Sequence, residues 1–277
     1  MLKGLGCVGV VGAGTMGRGI AQVFAMKNCP VVLIDSSKDA LESALPKIKE
    51  HTADELWPSV VENLKTSSDI SALSSCGLII EAVFEETGIK KDVLRAIESV
   101  CGKDALIATN TSSISIDELA EALSDPSRFA GMHFMNPPKV MKLVEVVKGK
   151  QTSEETVRRI VQVAAELDKV TAVVKDTPGF VTNRLLFALL GEAMRLLQGG
   201  VASREDIDAT MKHGMNHPMG PLELADFIGL DVCRDIMLYI SEKLEDEKYA
   251  PPAVLLSLVS DGKLGKKTRH GFYDYEE

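Results

Sequence analysis

Apolar positions fall into two regimes along the chain. In the first, short runs of small and β-branched residues recur at 7–11, 31–34, 64–68, 78–83, 105–109, 129–134, 143–147 and 171–175. Runs of this length and composition predict buried strands. Between them lie longer stretches with helical spacing, at 18–26, 92–100 and 117–123. A charge-rich stretch at 39–64 is broken by Pro46 and Pro58, and another opens at Thr152-x-x-Glu155 and runs to about 167. The Thr/Glu spacing has the form of a capping box. Strands alternating with helices predict a parallel, doubly wound sheet. The pattern stops at Asp176-Thr-Pro-Gly179, which divides the chain into 1–177 and 178–277. In the second regime only helical spacing remains, at 180–197, 203–213, 222–228 and 232–244, with a further helix opened by Pro251-Pro252. The 180–197 stretch is apolar on most faces, so it predicts the core of an all-helical domain and a surface for a second subunit.

The first strand runs into Gly12-Ala-Gly14-Thr-Met-Gly17, and a helix follows. In that setting the first glycine allows a tight turn, the second a close approach of backbone to a pyrophosphate, and the third close packing of helix on strand. The helix N-terminus offers N–H groups to the phosphates. Asp35 closes the second strand, where an acidic side chain binds the ribose hydroxyls of NAD and repels a 2′-phosphate. Taken alone, Asp35 is equally a cap for the next helix. The fold class expected is therefore α/β, a Rossmann-type doubly wound parallel sheet followed by an all-helical C-terminal domain. NAD is the cofactor, although Arg18 and Lys38 lie close enough to matter for NADP.

Residues at the C-terminal ends of such strands line the ligand crevice. Glu85 and Lys90 follow the 78–83 strand, and Asn110-Thr-Ser112-Ser follows the 105–109 strand. The lysine has a plainer reading as a surface residue at a helix start, and the hydroxyl cluster as a helix cap. His133 ends an apolar run, an Asn136-Pro-Pro turn follows, and Glu145 sits inside the next run. Two strands joined by a stiff turn can set these side chains together, which is the layout of a general base and the carboxylate that orients it.

The net charge of −9 argues against broad nucleic-acid binding and requires a local basic patch for any anionic ligand. Lys47 and Lys49 are candidates, with a solvated helix face as the plainer account. The five cysteines show no CxxC spacing, which predicts reduced thiols, a cytoplasmic location and no metal site. No apolar run is long enough to span a bilayer, and no leader segment precedes the first strand.

Seven motifs in order, VGAGTMGRGIA, IIEAVFE, ATNTSSISI, GMHFMNPPKVMKLVEVV, TPGFVTNRLL, NHPMGPLELADFIGLD and GKLGKKTRHGFYDY, resemble the 3-hydroxyacyl-CoA dehydrogenase family. The resemblance is strongest to the stand-alone 3-hydroxybutyryl-CoA dehydrogenases of bacteria. It implies NAD-dependent, reversible oxidation of a short-chain (S)-3-hydroxyacyl-CoA in fatty-acid or butanoate metabolism. It also implies an acyl-CoA substrate and a homodimer formed through the helical domain. By position, His133 matches the catalytic histidine and Glu145 its partner. Ser112 and Asn183 match residues at the substrate's reacting oxygen. Gly12, Gly14, Thr15, Met16, Gly17 and Asp35 match the NAD site, with Glu85, Lys90, Asn110 and Asn136 as further cofactor contacts. The chain departs from the family in a shorter segment after Asp35, where basic residues meet CoA, which leaves Lys47 and Lys49 as weak counterparts. Met135 replaces a usual Phe, Lys139 stands in the turn after Asn136, and Thr182 precedes Asn183. Two rivals remain. A 3-hydroxyisobutyrate or 6-phosphogluconate type of dehydrogenase relies on a lysine where this chain has Asn183-Arg184. A non-catalytic, crystallin-like relative would leave the intact His133, Glu145, Ser112 and Asn183 unexplained.

Overall fold

The structure, a computed structural model, describes residues 5–276. The chain divides into two compact units, Met1–Thr177 and Pro178–Glu277.

The first unit is built on eight strands: β1 (Cys7–Val11), β2 (Val31–Ile34), β3 (Leu64–Ser67), β4 (Cys76–Glu81), β5 (Leu106–Thr109), β6 (Phe129–Phe134), β7 (Leu143–Lys148) and β8 (Val170–Lys175). They form one sheet in the order β3-β2-β1-β4-β5-β6-β7-β8. The order steps outward both ways from β1 and β4, so the sheet is doubly wound and its ligand crevice opens where β1 and β4 diverge. Helices α1 (Thr15–Ala25), α2 (Lys38–Glu50), α3 (Trp57–Asn63), α4 (Thr87–Val100), α5 (Ile116–Ala120) and α6 (Glu154–Glu166) complete the unit. In α6, Val157, Ile160, Val163 and Ala164 share one face at helical spacing, and all four are buried in the core. The segment after Asp35 folds as the two helices α2 and α3. Ser37 caps α2 by accepting from the Ala40 N–H.

Several expectations need correction. The sheet is mixed: β7 runs antiparallel to β6, and β8 runs parallel to β7. The short 135–142 connection is a turn rather than a crossover helix, and a short connection can join only antiparallel neighbours. Helix α1 starts at Thr15 rather than 18, and α4 at Thr87 rather than 92. A glycine in each first turn, Gly17 and Gly88, breaks the apolar spacing there and hides these starts. The cap of α6 is Ser153, whose Oγ accepts from the Thr156 N–H. Thr152, which opened the supposed capping box, instead donates to the Phe129 carbonyl at 2.7 Å and ties the helix entry to β6. The scattered cysteines include one close pair. Cys7 and Cys76 sit opposite each other on β1 and β4, with Sγ atoms 3.1 Å apart, and all five thiols are free.

The second unit is helical: α7 (Thr182–Gln198), α8 (Arg204–Ala209), α9 (Pro221–Ile228), α10 (Leu230–Leu244) and α11 (Ala253–Ser260). The predicted 203–213 helix ends at Ala209 and continues as one π-turn over Thr210–Gly214. Phe187, Leu190 and Met194 of α7 pack with Leu222, Leu230, Met237 and Phe272. Two buried aspartates fasten the C-terminal tail. Asp226 accepts from the N–H groups of Phe272 and Tyr273 and from the Tyr275 hydroxyl, and Asp208 accepts from the Tyr273 hydroxyl. Desolvation raises the Asp226 pKa despite these hydrogen bonds.

Gly265, at φ +87°, lets the tail cross α9. A Cβ there would stand 2.2 Å from the Asp226 carbonyl oxygen, which is backbone and cannot rotate aside. Gly265→Ala is expected to destabilise the protein by about 1–3 kcal/mol. A urea midpoint equal to wild type would refute this.

Candidate functional site

The carboxyl ends of β1, β2, β4, β5 and β6 share one edge of the sheet, because these strands run parallel. At the end of β1 the chain turns through Gly12 at φ +109°, where a Cβ would lie 2.5 Å from the Ala82 carbonyl oxygen. A Cβ on Gly17 would lie 1.7 Å from the Gly12 carbonyl oxygen, so only glycine lets α1 start this close to β1. At Gly14 the same position is open, with nothing within 4 Å. Thr15 and Met16 form the first turn of α1, which carries no acidic residue and no side-chain cap. The positive end of the helix dipole therefore faces that open space. Asp35 closes the loop. Its two oxygens accept from the N–H groups of Ala13 at 2.7 Å and Ser37 at 2.8 Å, which holds the carboxylate at the tip of β2. An open space at the middle glycine, an uncompensated helix start and an anchored carboxylate one strand over fit the pyrophosphate and ribose of NAD.

His133 and Glu145 are directly paired positions of β6 and β7. Paired residues of antiparallel strands project to the same face. Their side chains meet, with Nδ1 2.9 Å from Oε2, and both are buried. The carboxylate acts as acceptor, so Nδ1 carries the proton and Nε2 is the nitrogen able to take one. Asn110 braces the same corner: its Oδ1 accepts from the Phe134 N–H at 2.9 Å.

The structure gives Lys90 a different task from the expected direct contact with a cofactor. It is 1% exposed, and its Nζ lies 2.8 Å from Glu81 Oε1 and 3.2 Å from Glu85 Oε2. Its alternative, a surface lysine, is equally displaced. Glu85 is 37% exposed at the crevice side. Its Oε1 accepts from the Thr111 hydroxyl and the Ser112 N–H, both at 2.7 Å, and from the Ser113 N–H at 3.0 Å. The hydroxyls of Ser112 and Ser113 lie 3.1 Å away. Burial by itself raises the Glu85 pKa, but the Lys90 charge and the Thr111 and Ser112 hydrogen bonds outweigh it and hold the carboxyl below its usual range.

A cavity of about 560 Å³ is lined by α1, the end of α2 and the turn after β6. Lys47 lines it, together with Arg18, His51, Asn136 and Lys139. Lys49 points elsewhere: it pairs with Asp54 at 2.5 Å and lies 5.2 Å from the Trp57 ring centroid. The two lysines are two positions apart on a helix, so they cannot share a face. Lys139 donates to the His51 carbonyl at 2.6 Å, and Lys169 donates to the carbonyls of Pro138 at 2.5 Å and Met141 at 2.8 Å. The turn carrying Asn136 is thus held from both sides. Asn183 belongs to the second unit, half-buried in the first turn of α7.

Sequence reasoning missed Glu81 and Thr109. Glu81 closes an otherwise apolar strand four residues before Glu85, and a carboxylate in such a run demands a partner. That demand is a signal that Glu81 has a partner, and the structure supplies it as Lys90.

Residues 7–177 match the family model "3-hydroxyacyl-CoA dehydrogenase, NAD binding domain", and residues 179–275 match "3-hydroxyacyl-CoA dehydrogenase, C-terminal domain". The chain is 43% identical over 275 residues to a probable 3-hydroxybutyryl-CoA dehydrogenase of Deinococcus radiodurans, covering 96% of this chain and 99% of that one. It is 44% identical over 277 residues to a 3-hydroxybutyryl-CoA dehydrogenase of Bradyrhizobium diazoefficiens, covering 97% and 94%. Among solved structures it is similar to the (S)-3-hydroxybutyryl-CoA dehydrogenase of Ralstonia eutropha, with TM-score 0.93 and 40% identity, covering 99% of this chain and 100% of that one.

The lowered Glu85 pKa makes a stability prediction. A carboxyl whose folded pKa lies below its unfolded value of 4.5 contributes stability above that pH, and the contribution is lost as pH falls through the folded pKa. Glu85→Gln is therefore expected to be less stable than wild type at about pH 7, with the difference shrinking as the pH falls below 4.5 and through the lowered folded pKa. Urea midpoints measured across that range check the sign. A difference that grows on acidification would contradict it.

Proposed function

The chain belongs to the 3-hydroxyacyl-CoA dehydrogenase family, and we propose that it oxidises a short-chain (S)-3-hydroxyacyl-CoA, most simply 3-hydroxybutyryl-CoA, to the 3-oxoacyl-CoA and runs the reverse reaction. The cofactor is NAD. The reading rests above all on the buried 2.9 Å contact between His133 Nδ1 and Glu145 Oε2 at paired strand positions. A buried carboxylate on Nδ1 fixes the tautomer, so Nε2 takes the proton of the substrate's 3-hydroxyl, and Glu145 stabilises the imidazolium that results. In the reverse direction the same imidazolium protonates the oxygen at C3. NAD, when bound, supplies the two-electron oxidising equivalent. Gly12, Gly14, Thr15, Met16 and Gly17 seat its pyrophosphate, and Asp35 takes the ribose hydroxyls. Glu85, Asn110 and Asn136 are further contacts, with Lys90 acting through Glu85.

Ser112 holds the substrate oxygen and Asn183 assists, the latter on the family resemblance alone. Lys47 meets the CoA moiety with its cavity neighbours Arg18 and Lys139. Lys49, engaged by Asp54 and Trp57, is left out of the CoA contact. A homodimer formed through the helical unit, a cytoplasmic location and a role in fatty-acid or butanoate metabolism belong to the same proposal.

Loss of NADH absorbance with acetoacetyl-CoA, run beside NADPH and beside free acetoacetate, tests the reading. Turnover is expected with NADH and the CoA ester. Faster turnover with NADPH would overturn the role of Asp35, and no turnover by folded protein would overturn the function. His133→Ala is expected to lower kcat by about 10²–10⁴-fold. Glu145→Gln presents an NH₂ group that favours the wrong imidazole tautomer, and a loss of about 10²–10⁴-fold is expected again. Near-normal kcat in either variant rules out the proposed pair.

A further inference from the structure

We propose that Glu81 and Lys90 are positioning residues that set Ser112 for the reaction; this rests on the reading above, in which Ser112 holds the substrate's oxygen. Glu81 is fully buried at the end of β4. Its Oε1 takes the Lys90 ammonium at 2.8 Å and the Val83 N–H at 2.7 Å, and its Oε2 takes the Thr109 hydroxyl at 2.6 Å. Three donors thus hold this carboxylate through both of its oxygens. A buried ion pair of this kind is a poor stabiliser compared with two well-packed apolar side chains. What the pair supplies instead is direction. Glu81 Oε1, at 2.8 Å, and the Val83 carbonyl, at 3.3 Å, hold the ammonium where it reaches Glu85 Oε2 at 3.2 Å. With Oε2 held there, Oε1 faces the 111–113 turn.

The distances at Oε1 separate two kinds of donor. The Thr111 hydroxyl and the Ser112 N–H at 2.7 Å, with the Ser113 N–H at 3.0 Å, already use the acceptor capacity of one carboxylate oxygen. The Ser112 and Ser113 hydroxyls also donate to this oxygen, at the longer distance of 3.1 Å. A hydroxyl proton rotates freely about the Cβ–Oγ bond, whereas a backbone N–H does not. The network therefore pins the Ser112 backbone, and with it the position from which the Ser112 hydroxyl meets a substrate oxygen. Thr111, itself fully buried, closes the turn by accepting from the Ile114 N–H at 3.0 Å.

A double-mutant cycle tests this, with kcat and KM measured on acetoacetyl-CoA and NADH. Glu81→Gln keeps the shape and removes the charge. It is expected to lower kcat by about 10-fold or more, the scale of a small misplacement of a reacting group. KM for NADH should move less than about threefold. In a Ser112→Ala background the added loss should fall below about twofold, because a residue acting through Ser112 has nothing left to position. The same fold-loss in both backgrounds, a change confined to KM for NADH, or a normal kcat would each overturn the proposal. Should Glu81→Gln fail to fold, Thr109→Val carries the same cycle, since it removes the hydroxyl that holds Glu81 Oε2 and leaves all three charges in place. No turnover by the wild-type protein would overturn this inference together with the function. Wild-type turnover with a Ser112→Ala loss and simple additivity would overturn this inference alone.

Discussion

The reversal of chain direction between β6 and β7 is the constraint on which the candidate chemistry depends. In a wholly parallel sheet the strand after β6 would return through a crossover, and Glu145 would have no cause to lie beside His133. Here a short turn returns the chain at once, and the register sets His133 against Glu145. Side chains alternate with a period of two along a strand, so a slip of one residue would send the carboxylate to the opposite face. The flanking pairs guard that register: Met132 with Val146 and Phe134 with Val144 are all buried in the core. The histidine and its carboxylate are thereby held by the packing of apolar neighbours and by the ladder, with no loop involved. The turn itself is restrained by Lys139 and Lys169, which donate to backbone carbonyls.

The same edge of the sheet gathers charges that would be costly elsewhere. Glu81, Lys90 and Glu145 are buried, and each has a partner within hydrogen-bond distance. An unpaired buried charge costs several kcal/mol, so these groups survive only as pairs. Glu81 with Lys90 underlies the hydroxyl-bearing turn after β5, and Glu145 underlies His133 after β6. Asn110 links the two, since its N–H donates to the Glu81 carbonyl and its side chain accepts from Phe134. The site is thus continuous through backbone and side-chain bonds across three adjacent strands. Geometry that catalysis needs to hold within fractions of an ångström is carried by strands rather than by mobile segments.

Much of this was legible in the residues. Five of the strands coincide with their apolar runs to the residue or within one at the end: β1, β2, β3, β6 and β7. The dinucleotide loop was legible because steric demands on Gly12 and Gly17 leave no other residue type able to stand there. His133 with Glu145 was legible because a stiff turn separates two short runs. The antiparallel return was not read from the pattern, since a buried strand has the same composition in either direction. Helix starts were missed where a glycine interrupts the first turn, as in α4. The Ser153 cap was missed because Thr152 and Ser153 both have capping chemistry, and only the three-dimensional bond from Thr152 to Phe129 decides between them. Asn183 stays as sequence and resemblance left it.

Long-range partners of charged residues were the hardest to read, and the reason is general. Spacing along a helix ties residues three or four apart, whereas Glu85 collects donors from 111–113 and Cys7 meets Cys76. No local period reports such pairs. A charge inside an apolar run does report that a partner exists somewhere. Applied to this chain, that rule marks Glu81 and Glu145 alike, for both interrupt buried strands next to the crevice. The rule also explains the cavity. In a chain of net charge −9, Arg18, Lys47 and Lys139 line one cavity, against the single carboxylate Glu50 among its lining residues. Surface lysines scattered by chance would be paired off against the acidic excess, as Lys49 is with Asp54. A local concentration of positive charge against that background focuses the field where it can attract an anion.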